Sequence, residues 1–326
     1  MINLVKPNLI VSDSRGAWFR ATILFILALI GTVGMWSVVV FIPDIEKEFG
    51  LDRGTSSLLY AFTMIGFGFG TVVIGKVYDK FGIKKPILLA TFVLITSYYF
   101  YSIFPFYWQF LILQFFMGFA ASAFFGPAMA DISNFFNKQR GFALSIVASA
   151  NYVAGATWPL LIGYFLTFID WRAAHFWISI CLFIMIPLIL LLKNASVDES
   201  KSHDMKQRYK DIRLDLSNNQ IQVLLMLAGI CCCVAMAMPQ VHMVALCVDN
   251  GFGLQVGTEI LAVMLYSGMI SRIVFGMISD RIGPVLTLLL GSFLQMVSLT
   301  FFLPFSSEIS LYAVSYTHLR AHETNS

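Results

Sequence analysis

Gly75-Lys76-Val77-Tyr78-Asp79-Lys80-Phe81-Gly82 returns 201 residues later as Gly276-Met277-Ile278-Ser279-Asp280-Arg281-Ile282-Gly283. Both stretches read G-x-x-x-D-[KR]-x-G without a gap. Each closes a long apolar run, 61–75 and 260–276, and each is followed by another. Each copy therefore reads as a tight polar turn between two hydrophobic segments. Glycine permits positive φ and close backbone approach. An aspartate at a helix terminus can bind backbone N–H groups. A basic residue beside it favours the cytoplasmic side of a bilayer. Two copies in matching context predict a chain built from two related halves.

Composition supports a membrane setting. Hydrophobic residues make up 58% of the 326-residue chain and charged residues 12%, against about 25% charged in a soluble domain. Crossing a bilayer takes about 20 apolar residues. Runs of that length lie at 21–42, 56–75, 86–104, 108–130, 142–166, 173–192, 221–246, 258–278 and 285–304. The expected fold is an all-α integral membrane protein with nine spans, six before a charged segment and three after it. Its expected units are a six-helix half at 1–193, a cytoplasmic linker at 194–219, a partial second half at 220–313 and a polar tail at 314–326. After Gly283 only 43 residues remain, so a truncated second half with a foreign tail is expected. The polar lead 1–19 precedes an apolar run too long for a cleavable signal. With the N-terminus inside, sixteen Lys and Arg fall on the cytoplasmic face and three, Lys47, Arg53 and Arg172, on the outer face. That bias sets the orientation.

Several function classes drop out. The net charge is only +3 and the basic residues are scattered among loops, which argues against nucleic acid. The five cysteines lie in or beside apolar runs. Cys231, Cys232 and Cys233 are consecutive, and neighbouring helical positions point about 100° apart, so they do not converge on a metal. No Ser/His/Asp set, metal spacing or phosphate loop suggests an enzyme, and no cofactor or metal is expected.

Ionisable residues inside a membrane are costly and informative. Arg272 lies within the span 258–278, eight residues from Asp280, or about 12 Å along a helix. It either snorkels to the headgroups or pairs with Asp280, or it faces an internal cavity and holds a carboxylate, which a guanidinium grips with two parallel bonds. An unpaired arginine at mid-membrane costs at least about 2.5–3.5 kcal/mol. Because Glu259 is the only acidic residue in its span, a compensating anion is expected. Uncharged candidates for the same lining are Asn151 and Tyr152, Gln240 and His242, Trp36 and Tyr60. Each could equally be a packing or interhelical hydrogen-bonding residue. Gly31, Gly34, Gly66, Gly68, Gly70 and Gly118 stand at small-residue spacing and predict close helix packing.

The repeated motif resembles the loops between helices 2 and 3 and between helices 8 and 9 of the major facilitator superfamily. Gly75, Asp79, Lys80, Gly82, Lys84 and Lys85 match the first loop; Gly276, Asp280, Arg281 and Gly283 match the second. The resemblance implies two halves related by an axis along the membrane normal, with Asp79 and Asp280 latching them together. Arg140-Gly-x-Ala143, Gly155-x-x-x-Pro159 and Asp170-Trp171-Arg172 look like the branch of monocarboxylate transporters and oxalate/formate antiporters. That branch places an arginine where Arg272 stands. Animal-type carriers have an aspartate four residues earlier, here Gly268, and a lysine in helix 1, which 21–42 lacks. Many proton-coupled facilitators have arginine where this chain has Gln114. Antiporter-type carriers add a second cation in helix 11, beyond this chain. The resemblance implies a monomeric secondary carrier in the cell membrane. Its partners would be the lipid bilayer, a small organic anion and a coupling proton or counter-anion, by symport or antiport. The alternatives are a carrier of a neutral or cationic solute and a non-transporting fragment.

The orientation is testable by cysteine accessibility labelling. Positions 80 and 195–215 are expected to be shielded in intact cells and positions 44–53 to react. Labelling of position 205 from outside would contradict the topology.

Overall fold

The computed structural model describes residues 13–136, 139–192, 217, 220, 223–224, 226–227, 240–244, 246–248 and 251–302. The expected linker apart from Ser217, most of the span 221–246, Cys231–Cys233 and the tail 314–326 lie outside the described residues. The described elements are helical. The first half comprises α1 (Arg15–Phe49), α2 (Arg53–Phe81), α3 (Lys84–Ile103), α4 (Tyr107–Ser133), α5 (Arg140–Phe165) and α6 (Trp171–Leu191). The second contributes α7 (Gly253–Ile282) and α8 (Pro284–Phe302). Helices α1 to α7 are long and apolar enough to cross a membrane.

Several helices begin a few residues before their apolar runs, and at α2 and α6 an aspartate caps the extension. Asp52 accepts from the amides of Gly54 and Thr55 at the start of α2, and Asp170 from those of Arg172 and Ala173 at the start of α6. Such caps satisfy amides that have no partner within the helix. Prolines explain the irregular turns. A proline ring collides with the carbonyl four residues before it. Four residues before Pro127 and Pro187 are Ala123 and Phe183, and both lie in tightened 3-10 turns, Ser122–Phe124 and Leu182–Ile184. α1 breaks at Thr32, whose hydroxyl donates back to the Ala28 carbonyl at 2.7 Å.

The repeated motif needs one correction. It is not an eight-residue turn: helix runs through Gly75 to Phe81 and through Gly276 to Ile282. Only the final glycine breaks it. Gly82 has φ 72 and ψ −176, and Gly283 has φ 88 and ψ 159. Only glycine populates that region readily. Each glycine N–H still donates to the carbonyl four residues earlier, Tyr78 at 2.7 Å and Ser279 at 3.0 Å. The two copies thus share one backbone conformation, not only a spelling.

Glycine also sets how the first half packs. A Cβ on Gly66 would fall on the Phe115 carbonyl, and one on Gly118 on the Thr63 carbonyl. A Cβ on Gly70 would lie 2.9 Å from the Phe119 Cα, so α2 and α4 meet backbone to backbone. Gly31 and Gly34 receive Phe124 and Met117 of α4. Gly68 faces open space and takes no part, because it lies on the other side of α2. Gln114 is buried in the same contact. It accepts from the Thr63 hydroxyl at 2.9 Å and donates to the Tyr101 hydroxyl.

Candidate functional site

Helices α5 and α7 bring the two halves together along an antiparallel seam. From one end to the other, Gly141 meets Gly276 and Asp280, Ser145 meets Gly276, Ala148 meets Arg272, Gly155 meets Leu265 and Gly163 meets Thr258. From Gly141 to Gly163 this covers about 33 Å of helix at 1.5 Å per residue, the full thickness of a hydrocarbon core of about 30 Å. Small residues make the approach possible. A Cβ on Gly276 would stand 2.6 Å from the Ser145 Cβ and 3.0 Å from the Gly141 carbonyl.

Arg272 sits midway along the seam, half-buried. Its Nη1 donates to the Ala148 carbonyl at 3.2 Å and its Nη2 to the Tyr152 hydroxyl at 3.4 Å. Its guanidinium carbon lies 4.5 Å from the centre of the Tyr152 ring, in cation–π range. Neutral acceptors and a ring face on α5 attend it, and Asp280 is not its partner.

Asn151 precedes Tyr152 on α5 and accepts from the Trp36 indole of α1 at 3.0 Å. Gly155 makes room for this crossing, since a Cβ there would lie 2.5 Å from Trp36 and 2.8 Å from Leu265. Pro159, four residues on, removes the N–H that would bond the Gly155 carbonyl. Helices α1, α5 and α7 thus converge at one level. Of the residues singled out in the sequence, the fold joins Trp36 to Asn151 and Tyr152 to Arg272. Tyr60 packs against the first-half core. Gln240 is buried and His242 exposed on the described stretch 240–244. Among the described residues no hydrogen bond joins Tyr60, Gln240 or His242 to Arg272.

At the Gly141 end of the seam the second motif copy is engaged. Asp280 accepts from the Gly141 amide at 2.9 Å and the Phe142 amide at 3.0 Å. These are the second and third residues of α5, whose own flanking residue, Gln139, supplies no side-chain cap. A carboxylate from one half thus caps a helix of the other, with the helix dipole adding to the attraction. Among the described residues the carboxylate of the first copy makes no such cap. Asp79 is exposed, and a Cβ on Gly75 would meet nothing within 4 Å. Lys80 and Arg281 are exposed as well, as topogenic charges would be.

Two charged clusters escaped the sequence reading. Arg20 and Asp131 form a buried two-pronged ion pair, Nε to Oδ2 at 2.5 Å and Nη2 to Oδ1 at 2.9 Å. The pair ties α1 to α4, with Tyr78 of the first motif copy beside it. At the opposite end of the helices, Glu48 accepts from the Trp171 indole at 2.8 Å and the Arg172 guanidinium at 2.6 Å. Arg20 and Asp131 each stood one residue outside an apolar run. An opposite pair flanking two spans on the same membrane face was the available signal, because intramembrane charges pair.

A model of the Major Facilitator Superfamily matches residues 24–317. The MFS-type transporter pynF of Aspergillus niger is 27% identical over 221 residues, 66% of this chain and 49% of that protein. The agnestins efflux protein AgnL12 of Paecilomyces divaricatus is 24% identical over 252 residues, 75% of this chain and 56% of that protein. The inner membrane transport protein YnfM of Escherichia coli is 23% identical over 175 residues, 53% and 42% of the two chains. The chain spans about half the length of the curated relatives it matches. A crystal structure of a double-tryptophan mutant of XylE superposes with a TM-score of 0.71 at 12% identity, covering 96% of this chain and 80% of that one. That likeness establishes the fold.

The two motif copies differ enough to be separated by mutation. Asp280→Ala removes two amide acceptors and is expected to cost about 1 kcal/mol, in line with a lost cap. Asp79→Ala is expected to leave thermal unfolding of the chain in detergent unchanged. Equal destabilisation by both would contradict the asymmetry.

Proposed function

The chain belongs to the Major Facilitator Superfamily, and from that premise we propose that in complete form it moves a small organic anion across the membrane by alternating access. The supporting observation is Arg272, a guanidinium at mid-seam whose two terminal nitrogens rest on neutral acceptors. A carboxylate matches that fork better than a carbonyl and a phenol do, because charge-assisted paired bonds are the stronger. The α5–α7 seam is the moving contact, and the Asp280 cap is its cytoplasmic gate. Asp79 would act in the same way on a helix of the complete second half. The resemblance to monocarboxylate and oxalate/formate carriers adds a coupling proton or counter-anion, a monomer, and a cell-membrane location with a cytoplasmic N-terminus. The name of the agnestins efflux protein supports transport rather than sensing.

A neutral or cationic solute is the second reading. It draws on the same geometry, since the Tyr152 ring and the Ala148 carbonyl already attend the guanidinium.

Transport in proteoliposomes, by a chain with a complete second half, separates the two. Arg272→Ala is expected to abolish organic-anion exchange while leaving expression intact. Arg272→Lys keeps the charge but loses the fork, so exchange should weaken. Wild-type exchange by the alanine variant would overturn the anion reading.

A further inference from the structure

We propose that the turn between α2 and α3 binds the headgroup of an anionic phospholipid, held by Lys76, Lys80, Lys84 and Lys85 around Phe81. The site is separate from Arg272 and independent of what the protein carries.

Positive charge gathers at this turn without a balancing partner. Four lysines and one carboxylate, Asp79, fall between positions 76 and 85. The ammonium groups of Lys80 on α2 and Lys85 on α3 both lie over the Phe81 ring, at 5.2 and 4.5 Å from its centre, in cation–π range. Lys76, Lys80 and Lys85 are exposed and Lys84 is half-buried. Among the described residues no carboxylate stands within ion-pair distance of any of the four. Like charges collected in this way raise the local potential and attract an anion.

The repeat shows that the turn itself does not require them. The second copy builds the same glycine-ended turn with Met277, Val285 and Leu286 at the positions of Lys76, Lys84 and Lys85. Those three are exposed as well, so an apolar residue fits at each place. Three charges that the turn can do without point to a partner outside the protein.

The surface beside the lysines selects that partner. On α2 the exposed side chains of Ile65, Phe69 and Val72 run along one face into Lys76 and Lys80, at spacings of three and four residues. On α3 Lys85 gives way to exposed Leu88, Leu89 and Phe92. Both helices are long and apolar enough to cross a membrane. The apolar stripes therefore meet acyl chains, and the lysines stand at the headgroup end of each stripe. A lysine stem lies along apolar surface while its ammonium reaches the polar layer. A phosphate diester joined to acyl chains fits both parts, whereas a soluble phosphate uses only one. A zwitterionic headgroup brings its own cation to the lysines, so net negative charge is preferred. Basic clusters beside a membrane span attract anionic lipid by the same physics.

Native mass spectrometry of the purified chain, offered phosphatidylglycerol and phosphatidylcholine in equal amounts, tests this. Phosphatidylglycerol is expected to bind in preference. Lys76→Met, Lys84→Val and Lys85→Leu copy the second turn. Each is expected to weaken phosphatidylglycerol binding about fivefold, the scale of one lysine near an anionic surface. The single variants read the effect should the triple variant not fold. Lys47→Met, at the other end of the helices, should leave binding unchanged. Equal preference for the two lipids, binding that survives the three substitutions, or an equal loss with Lys47→Met overturns the proposal. Displacement of phosphatidylglycerol by an equal concentration of glycerol 3-phosphate would mark a site for soluble phosphate and overturn the lipid assignment.

Discussion

A guanidinium inside a bilayer must be given partners, and in this protein they come from across the seam between two halves. Arg272 of α7 finds a carbonyl, a phenol and a ring face on α5. Such contacts demand helices that approach closely and in a fixed register. Gly141, Gly155 and Gly276 supply the room. The positions that pack the seam are therefore also those that set the site, so packing and ligand recognition are hard to separate here. Trp36 shows this: it fills the space above Gly155 and also fixes the Asn151 amide beside Tyr152.

The repeat takes on a second meaning once the fold is seen. Both copies end in a glycine held at positive φ, so both helices stop in the same way. Their carboxylates meet different surroundings. Asp280 caps α5, whereas Asp79 is exposed. One motif serves two sites, and its role in each depends on whether a helix of the other half presents its N-terminus. The buried Arg20–Asp131 pair lies near the first copy and holds α1 to α4, so that end of the first half is braced within itself.

The apolar runs made most of the fold legible. Each span with a described helix was found from length and hydropathy, and the shared glycine ends followed from the motif. The close approach of α2 and α4 was legible in Gly66, Gly70 and Gly118. Gly68 was misread because spacing alone does not say which face of a helix meets a neighbour. The extent of the motif turn was misjudged since nothing before Gly82 stops a helix. The site was legible in its central residue but not in its partners. An arginine in an apolar run announces a need for compensation. Whether an acid, a carbonyl or an aromatic ring meets it depends on a contact 120 residues away in sequence. The Arg20–Asp131 and Glu48–Arg172 pairs were missed for the same reason.

The α5–α7 seam carries the rest of the structure, and a disulfide across its Gly163 end tests it most directly. A Cβ on Gly163 would lie 3.9 Å from both Cγ2 and Oγ1 of Thr258, so side chains at the two positions touch across the seam. With the five native cysteines replaced, Gly163→Cys combined with Thr258→Cys should form an intramolecular bridge in membranes under mild oxidation. Efficient bridging is the predicted result. Two cysteines that stay reduced, each still reactive toward a small thiol reagent, would contradict the seam and the placement of Arg272 that depends on it.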